Sequence, residues 1–302
     1  MTHYFEPWLN YQHPLVRQLT FVIASPNLLR ELPAELTLKH HFELHNDQFW
    51  QQHYLAYQTR LRQLDQQPQQ LLDFLSPLKS TRLGLRFEYL FWFWLQDAEY
   101  QQHYQLLAHS HQVIEGKQTR GELDFILLNV ATGQVEHWEV ALKFYLAEHD
   151  QQLAHWYGLN RSDTLARKLN HFSQQQFQFE NIQHWQIQRR FAVLKGQLYL
   201  PEQHVQTCYE PQNLKATHTL PHWLNASRRL GTWGTQPKTD HYRLQRNEWI
   251  CTALNPSSAA ATWWYSGLYH QSKSQQDYMF RLEHTRPLCK LAVNKTADTY
   301  KS

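Results

Sequence analysis

Three charged residues lie inside two short apolar segments of this 302-residue chain. Asp124 lies in the apolar run 123–128, and Glu139 and Lys143 lie in a second apolar run, residues 138–146. A buried charge is costly unless it is paired or bound to a metal ion. Two carboxylates and a lysine are groups that can hold a divalent cation and stabilise a phosphate. These three residues are therefore the first candidates for chemistry.

The periodicity of both segments is that of strands, whose side chains alternate between two faces. Segment 135–146 presents Glu139 and Lys143 on one face, with Ala141 between them. Segment 122–130 is apolar on both faces apart from its acids. That pattern predicts a central strand in a sheet that is covered on both sides.

Residues 131–134 predict a four-residue hairpin loop between the two strands. If Val130 pairs with Val135, Asp124 lies opposite Ala141. A shift of the register by one residue would move Asp124 to the other face of the sheet. The predicted site therefore depends on this register.

In the predicted register, Glu139 and Lys143 are the diagonal neighbours of Asp124. Diagonal Cβ atoms lie about 7–8 Å apart, within the joint reach of long side chains. The two carboxylates could then hold a hydrated divalent ion, and the lysine could orient water or stabilise a phosphate. For Glu139 and Lys143 alone, a solvent-exposed ion pair is the favoured interpretation. Asp124 shifts that balance because its own face is otherwise apolar.

The elements around this pair follow the order helix–strand–strand–strand–helix–strand. Ser80 is the predicted cap of the first helix, which is apolar nearly all round and therefore buried, with Glu88 as its only acid. The predicted helices span 81–96 and 164–176, and the predicted strands span 104–114, 122–130, 135–146 and 186–200. The sequence therefore predicts an α/β fold with a mixed sheet.

This order and the segment Gly-Glu-Leu-Asp-Phe, residues 121–125, resemble the PD-(D/E)XK nuclease-like superfamily. With segments 139–146 and 160–169, they more closely resemble a bacterial family of a domain of unknown function within that superfamily. The resemblance implies a restriction-endonuclease-like core and a Mg²⁺- or Mn²⁺-dependent phosphodiester hydrolase acting on DNA or another nucleic acid.

By this resemblance, Asp124 and Glu139 bind the metal ion, Lys143 is the catalytic lysine and Glu88 is a supporting acid. The superfamily pattern has its second acid two residues before the lysine, where this chain has Ala141. Glu139 lies on the same face, about 6.6 Å further along the strand. Either Glu139 still reaches the metal ion or the site is degenerate.

Several basic residues flank the predicted site and could contact backbone phosphates. For any one of them, an ordinary solvated charge is the favoured interpretation. Lys168 and His171 are better candidates because they form a stripe on a helix expected to lie over the sheet. The candidates are Lys117, Arg120, Arg161, Arg167, Lys168 and His171.

Two weaker patterns are consistent with other sites. His109 and His111 share a strand face and could ligate zinc, but no third ligand is apparent and the structural interpretation is favoured. The aromatic run 263–265 could stack on bases, although burial in an aromatic core is the better interpretation.

The composition limits the class of protein. Lys and Arg exceed Asp and Glu by three, and a pI near 8.6 permits a nucleic-acid partner without requiring one. Three widely spaced cysteines, Cys208, Cys251 and Cys289, indicate a reducing compartment without a disulfide framework. The start of the chain does not resemble a secretory signal, and no apolar run is long enough to span a membrane. We therefore expect a cytoplasmic protein with no membrane partner.

The predicted organisation is a helical N-terminal extension (residues 1–80), the nuclease-like core (81–200) and an irregular C-terminal extension packed on that core (201–302). The leading hypothesis is a metal-dependent nuclease. The alternatives are a catalytically degenerate nuclease fold that binds nucleic acid or protein, and a scaffold whose aromatic C-terminal part binds a protein. A homo-oligomer is compatible with each of them.

Overall fold

The computed structural model describes residues 4–148, 150–202 and 220–282. Within these ranges, a mixed sheet of nine strands is flanked by helices on both faces. The helices are α1 (Pro14–Ala24), α2 (Asp47–Gln66), α3 (Gln69–Leu75), α4 (Leu83–Gln96) and α5 (Leu165–Gln174). The protein is therefore an α/β protein, as predicted.

Local sequence accounts for several helix ends. The Asn46 side chain caps α2 by accepting a hydrogen bond from the Phe49 N–H, and Thr164 caps α5 by accepting one from the Arg167 N–H. The N-cap of α4 is Arg82 rather than the predicted Ser80, and the Ser80 hydroxyl accepts a hydrogen bond from the Arg82 N–H instead.

The first strands are β1 (Tyr104–Glu115), β2 (Gln118–Asn129) and β3 (Val135–Ala147), which pair in antiparallel order. Three two-residue strands follow: β4 (Trp156–Tyr157), β5 (Asn181–Ile182) and β6 (Trp185–Gln186). The next strand, β7 (Arg189–Pro201), lies parallel to β3 after the crossover through α5. Apart from the short strands, the predicted order of helix, three strands, helix and strand is present.

Four further strands extend the same sheet beyond β7. They are β8 (Gly231–Gly234), β9 (Tyr242–Arg243), β10 (Gly267–Gln271) and β11 (Gln276–Phe280). The order across the sheet is β1-β2-β3-β7-β8-β11-β10-β9, with β4 paired to the end of β3. The described residues after 230 therefore include regular strands where the sequence predicted an irregular extension.

The core lies on both sides of β3 and β7. One face packs against α1, α2 and α4 through an aromatic cluster that includes Trp50, Trp94 and Trp138. The other face packs against α5 through Phe172 and neighbouring aliphatic residues. Each fully buried large side chain contributes about 1.5–3 kcal/mol. Because β3 is covered on both faces, any charge on it needs a partner.

The register between β2 and β3 differs from the predicted one. Leu128 pairs with Val135 and Phe125 with Trp138, so the predicted pairing of Val130 with Val135 is wrong by two residues. The cause is the turn, because Asn129 closes it with its N–H bonded to the Gln134 carbonyl at 2.9 Å. A shift of two residues keeps every side chain on its predicted face.

Gly196 of β7 lies opposite Lys143 of β3 in the parallel pair. Its φ is 130°, a conformation that favours glycine, and a Cβ at this position would lie 2.0 Å from the Lys143 carbonyl oxygen. The strand that carries Lys143 therefore requires glycine beside it.

No helix in the described ranges is both long and apolar enough to cross a bilayer. Cys251 is a buried free thiol. Cys208 and Cys289 lie outside the described residues.

Candidate active site

Asp124 of β2 and Glu139 of β3 are adjacent across the antiparallel pair. Continuing the register one step beyond Phe125–Trp138 places Asp124 opposite Glu139, not opposite Ala141 as predicted. The Val140 N–H donates to Asp124 Oδ2 at 2.8 Å, and the Asp124 N–H donates to Glu139 Oε1 at 3.4 Å. The two carboxyl groups also lie close enough for each to shift the pKa of the other. The structure thus brings the two predicted acids into contact.

Burial favours the protonated form of both acids. It raises the pKa of Asp124 well above its ordinary value, and the negative charge of Glu139 raises it further. Burial also raises the pKa of Glu139 to about 8. Two carboxyl groups in contact cannot both be ionised unless a cation lies between them. The pair is therefore a place where a proton or a cation must be held.

Glu139 is completely buried, and a side chain contacts each of its two oxygens. The His137 Nε2 lies 2.7 Å from Glu139 Oε1, and the Gln176 side-chain amide donates to Glu139 Oε2. Burial lowers the pKa of His137 to about 3, so its imidazole is neutral. The His137 Nδ1 has no hydrogen-bond partner among the described residues. These contacts fix the orientation of the glutamate.

Lys168 of α5 is the cation that acts on both acids. Its Nζ donates to Gln176 Oε1 at 2.8 Å, so Gln176 links the lysine to Glu139. Burial raises the pKa of Asp124 and of Glu139, and the positive charge of Lys168 opposes both shifts. Burial lowers the pKa of Lys168 itself to about 8, and the charge of Lys143 lowers it further. The structure thus places a lysine beside the acid pair from the helix, not from the strand.

Lys143, the predicted catalytic lysine, binds another carboxylate. Its Nζ lies 2.5 Å from Asp163 Oδ2, and the Tyr145 hydroxyl donates to Asp163 Oδ1 at 3.2 Å. Asp163 belongs to the turn 158–163, which closes through the Gly158 N–H bonded to the Asp163 carbonyl at 2.7 Å. The Lys143 side chain is 26 % exposed. It therefore lies on the predicted face of β3 but points towards this turn.

An open pocket of about 350 Å³ connects Lys143 and Lys168. We call it the basic pocket. Burial lowers the pKa of His171, and the neighbouring charges of Lys168, Arg167 and Lys143 lower it further, which shows how closely the cations are grouped. The basic pocket is lined by Lys143, Ser162, Asp163, Arg167, Lys168 and His171. The predicted stripe of Lys168 and His171 therefore lies in a single pocket with Lys143.

Glu88 of α4, the predicted supporting acid, lies near the pair. Its Oε1 accepts a hydrogen bond from the Ser110 hydroxyl at 2.8 Å and lies 2.9 Å from the His109 Nε2. Its negative charge contributes to the raised pKa of Asp124, after burial and the charge of Glu139. Ser110 has a φ of 45° in the middle of β1, a strained conformation for a residue with a side chain. His109, one of the two histidines considered for zinc, thus has Glu88 as its partner.

Three predicted nucleic-acid contacts do not line the basic pocket. Lys117 and Arg120 lie at the β1–β2 hairpin, where Arg120 forms an exposed ion pair with Glu115 at 2.7 Å. Arg161 binds Glu148 at 2.7 Å and stacks over the Tyr157 ring at 3.9 Å.

The donor set fits a hydrated divalent ion only in part. In the part of the chain that the structure describes, no three His, Cys, Asp or Glu side chains are grouped so as to hold a metal ion. The carboxylate oxygens of Asp124 and Glu139 are ligands of the type that Mg²⁺ and Mn²⁺ prefer. Because His137 and Gln176 already contact the two Glu139 oxygens, an ion bound to Glu139 would have to share these oxygens with their present partners. Asp124 is the more available ligand.

Three residues of the site had no role predicted from the sequence. His137, Asp163 and Gln176 are among many His, Asp and Gln residues of the chain, and only the folded chain brings them to Glu139 and Lys143. Glutamine is too frequent here for Gln176 to be distinguishable.

Comparison with known proteins places the chain in one family. The chain belongs to the family described as domain of unknown function DUF1853, whose profile matches residues 17–298. No curated protein and no solved structure matched the chain.

Proposed function

We propose that this protein is a divalent-metal-dependent phosphodiester hydrolase that acts on nucleic acid, with residues 83–201 as a restriction-endonuclease-like core. The observation that supports this proposal is the placement of Asp124 beside Glu139, with the charge of Lys168 acting on both acids. An acid pair that must hold a proton or a cation, next to a basic pocket, is an arrangement suited to a phosphate ester.

The residues have separate roles in this proposal. Asp124 and Glu139 would hold Mg²⁺ or Mn²⁺, with Asp124 as the principal ligand. The bound ion would polarise the phosphate and lower the pKa of a water molecule. Lys168 and Lys143 would bind the phosphate oxygens in the basic pocket, and Gln176 would keep Lys168 and Glu139 in fixed relation.

Charge supports this assignment. The basic pocket contains Lys143, Arg167, Lys168 and His171, and its only acidic lining residue among those described is Asp163, which is bound to Lys143. Phosphate groups are the usual ligands of such clusters of lysine and arginine. The acid pair lies next to this cluster, so a phosphate in the basic pocket would be close to the proposed ion.

A cleavage assay with the full chain tests the proposal. Labelled single-stranded DNA, duplex DNA and RNA are incubated with about 10 mM Mg²⁺ or Mn²⁺, a concentration well above typical dissociation constants for such ions. We expect cleavage by the wild type, and loss of at least about 100-fold in Asp124→Asn. Glu99→Gln changes an exposed acid and should keep full activity.

Cleavage that is equal in Asp124→Asn and in Glu99→Gln would contradict the assignment of Asp124. Equal cleavage with and without EDTA would contradict the requirement for a metal ion. Failure of all three substrates to be cut in either metal ion would contradict hydrolysis of nucleic acid.

The second candidate is a catalytically degenerate protein of the same core that binds nucleic acid or a protein. The observation that favours it is the complete burial of Glu139, with both oxygens already hydrogen-bonded. Thermal melting separates the candidates, because an ion at 100 times its dissociation constant stabilises the folded state by about 2.7 kcal/mol. A metal-dependent rise in melting temperature that Asp124→Asn abolishes favours the enzyme.

A further inference from the structure

A second basic pocket lies in the C-terminal part of the sheet, apart from the acid pair. Its volume is about 660 Å³, and we call it the arginine pocket. Arg243 comes from β9, and Arg281 follows β11 directly. Its polar and aromatic lining includes Arg243, Arg246, Arg281, Trp249, Ser258 and Ser266.

The positive charge of the arginine pocket is not neutralised by the described residues. None of the described residues that line it is acidic. Within the described ranges, Arg243, Arg246 and Arg281 form no ion pair with a carboxylate. The acid nearest in sequence, Glu248, is occupied elsewhere, since it accepts hydrogen bonds from the Gln245 N–H at 2.6 Å and from the Ser257 hydroxyl at 2.7 Å.

Two of the three guanidinium groups are held in place by neutral neighbours. Arg246 stacks on the Trp249 ring at 4.2 Å, and Arg281 donates from Nη2 to the Leu159 carbonyl at 3.0 Å. Each guanidinium has five N–H donors, so donors remain for a ligand. Burial lowers the pKa of Arg246 and of Arg281, as expected for a cation without a carboxylate beside it.

Exposed aromatic rings lie next to these cations. Tyr265 is 59 % exposed, and the Arg243 guanidinium lies 5.9 Å from the centre of its ring. Trp263 is 80 % exposed, whereas Trp264 between them stacks on Tyr269 at 4.0 Å. Unpaired arginines beside exposed aromatic rings form a surface suited to the phosphates and bases of a single strand.

We propose that the arginine pocket binds single-stranded nucleic acid, with backbone phosphates on Arg243, Arg246 and Arg281 and a base stacked on Tyr265. Three cations without described acidic partners favour a polyanion with several phosphates, and the exposed ring favours unpaired bases. This inference goes beyond the proposed hydrolysis, because it concerns a different site and requires neither a metal ion nor cleavage.

Fluorescence anisotropy with a labelled oligothymidylate of about 20 nucleotides, in EDTA to prevent cleavage, tests this proposal. The full chain is compared with a triple variant (Arg243→Gln, Arg246→Gln, Arg281→Gln). A control triple variant removes the same charge from exposed positions outside the pocket (Arg30→Gln, Arg62→Gln, Lys79→Gln).

We expect the pocket variant to bind at least about tenfold more weakly than the control. The plot of log affinity against log salt concentration should also become less steep. Each phosphate contact on a single strand contributes about 0.7 to this slope, so the loss of all three contacts should reduce its magnitude by about 2. Arg243→Gln alone changes an exposed residue and should lower the slope by about 0.7 without affecting the fold. Equal affinity of the pocket variant and the control variant would overturn the proposal.

Two further measurements identify the ligand. Tyr265→Ala should weaken binding of the single strand by several-fold and leave binding of a duplex of the same length unchanged. Equal losses for strand and duplex would overturn the base contact. Polyglutamate should compete poorly with the oligonucleotide for the arginine pocket. If polyglutamate displaces the oligonucleotide at an equal concentration of negative charge, the ligand is an acidic protein and the proposal of nucleic acid is overturned.

Discussion

Asp124 and Glu139 face each other on adjacent antiparallel strands, and the Asp124 N–H donates to Glu139 Oε1 at 3.4 Å. The negative charges of the two groups would repel each other at this separation, so the pair must share a proton or hold a cation. Lys168 reaches the pair through Gln176, whereas Lys143 is bound to Asp163. The first prediction concerns these two lysines.

We expect Lys168→Met to reduce metal-dependent cleavage by about 100-fold or more, because it removes the cation that acts on both carboxyl groups. Lys143→Met should cause a smaller loss, since Asp163 already offsets the charge of Lys143. Initial rates over a range of substrate concentrations separate kcat from KM. If Lys143→Met is the more damaging variant, the strand lysine is the catalytic one and Lys168 is structural.

The second prediction concerns acid stability. Burial lowers the pKa of His53 to about 3, so the folded state keeps this imidazole neutral while the unfolded state takes up a proton below about pH 6.5. The free energy of unfolding should therefore fall between pH 6.5 and 3, by up to about 1.4 kcal/mol per pH unit for this histidine.

Urea unfolding at a series of pH values measures this slope. His53→Gln should reduce it by about 1.4 kcal/mol per pH unit between pH 6 and 4. His184→Gln, at an exposed position, is the matched control. An identical slope in His53→Gln and in wild type would contradict the prediction.

The third prediction concerns Lys195, whose side chain is completely buried in β7. Its Nζ donates to the Val22 carbonyl at 2.5 Å in the last turn of α1 and lies 3.4 Å from the centre of the Trp50 ring. Lys195→Ala leaves a cavity and unpaired carbonyls, so it should lower the free energy of unfolding by about 3–5 kcal/mol. Lys39→Ala, at an exposed position, is the control for urea unfolding. A loss below about 1 kcal/mol would show that the site collapses around the alanine.

The fourth prediction compares neighbouring tryptophans. Trp264 stacks on Tyr269 at 4.0 Å and contacts Phe280, whereas Trp263 is 80 % exposed. Trp264→Ala should lower the free energy of unfolding by about 3 kcal/mol, and Trp263→Ala should change it by less than about 0.5 kcal/mol. Melting curves of the two variants provide the comparison. Equal effects would mean that Trp264 does not anchor this part of the sheet.

The order of elements around the site was predictable because each long element carries its own pattern. Strands β2 and β3 contain apolar runs of strand length, and α5 has apolar residues at helical spacing. Strands β8 to β11 were not predictable, since they have only two to five residues, and β8 pairs with strands that are distant in sequence. The register was wrong because the Asn129 side chain and Gly133 shape the turn.

The candidate site was predictable to the extent that strand alternation fixes a face. Asp124, Glu139 and Lys143 could be grouped because a shift of two residues leaves faces unchanged. The direction in which Lys143 points could not be predicted, because it depends on Asp163 in a turn folded against β3. The link from Lys168 to Glu139 depends on Gln176 beyond the end of α5, and no periodicity reveals such a contact.

The turn 158–163 touches both pockets, since Leu159 lines the arginine pocket and Asp163 binds Lys143 in the basic pocket. A ligand that changes the conformation of this turn from one pocket would also change the affinity of the other pocket for its ligand. By thermodynamic linkage, the two ligands must then alter each other's dissociation constant by the same factor. The two pockets are therefore coupled to the extent that either ligand moves the turn, and titrating one ligand at fixed concentrations of the other measures this coupling free energy.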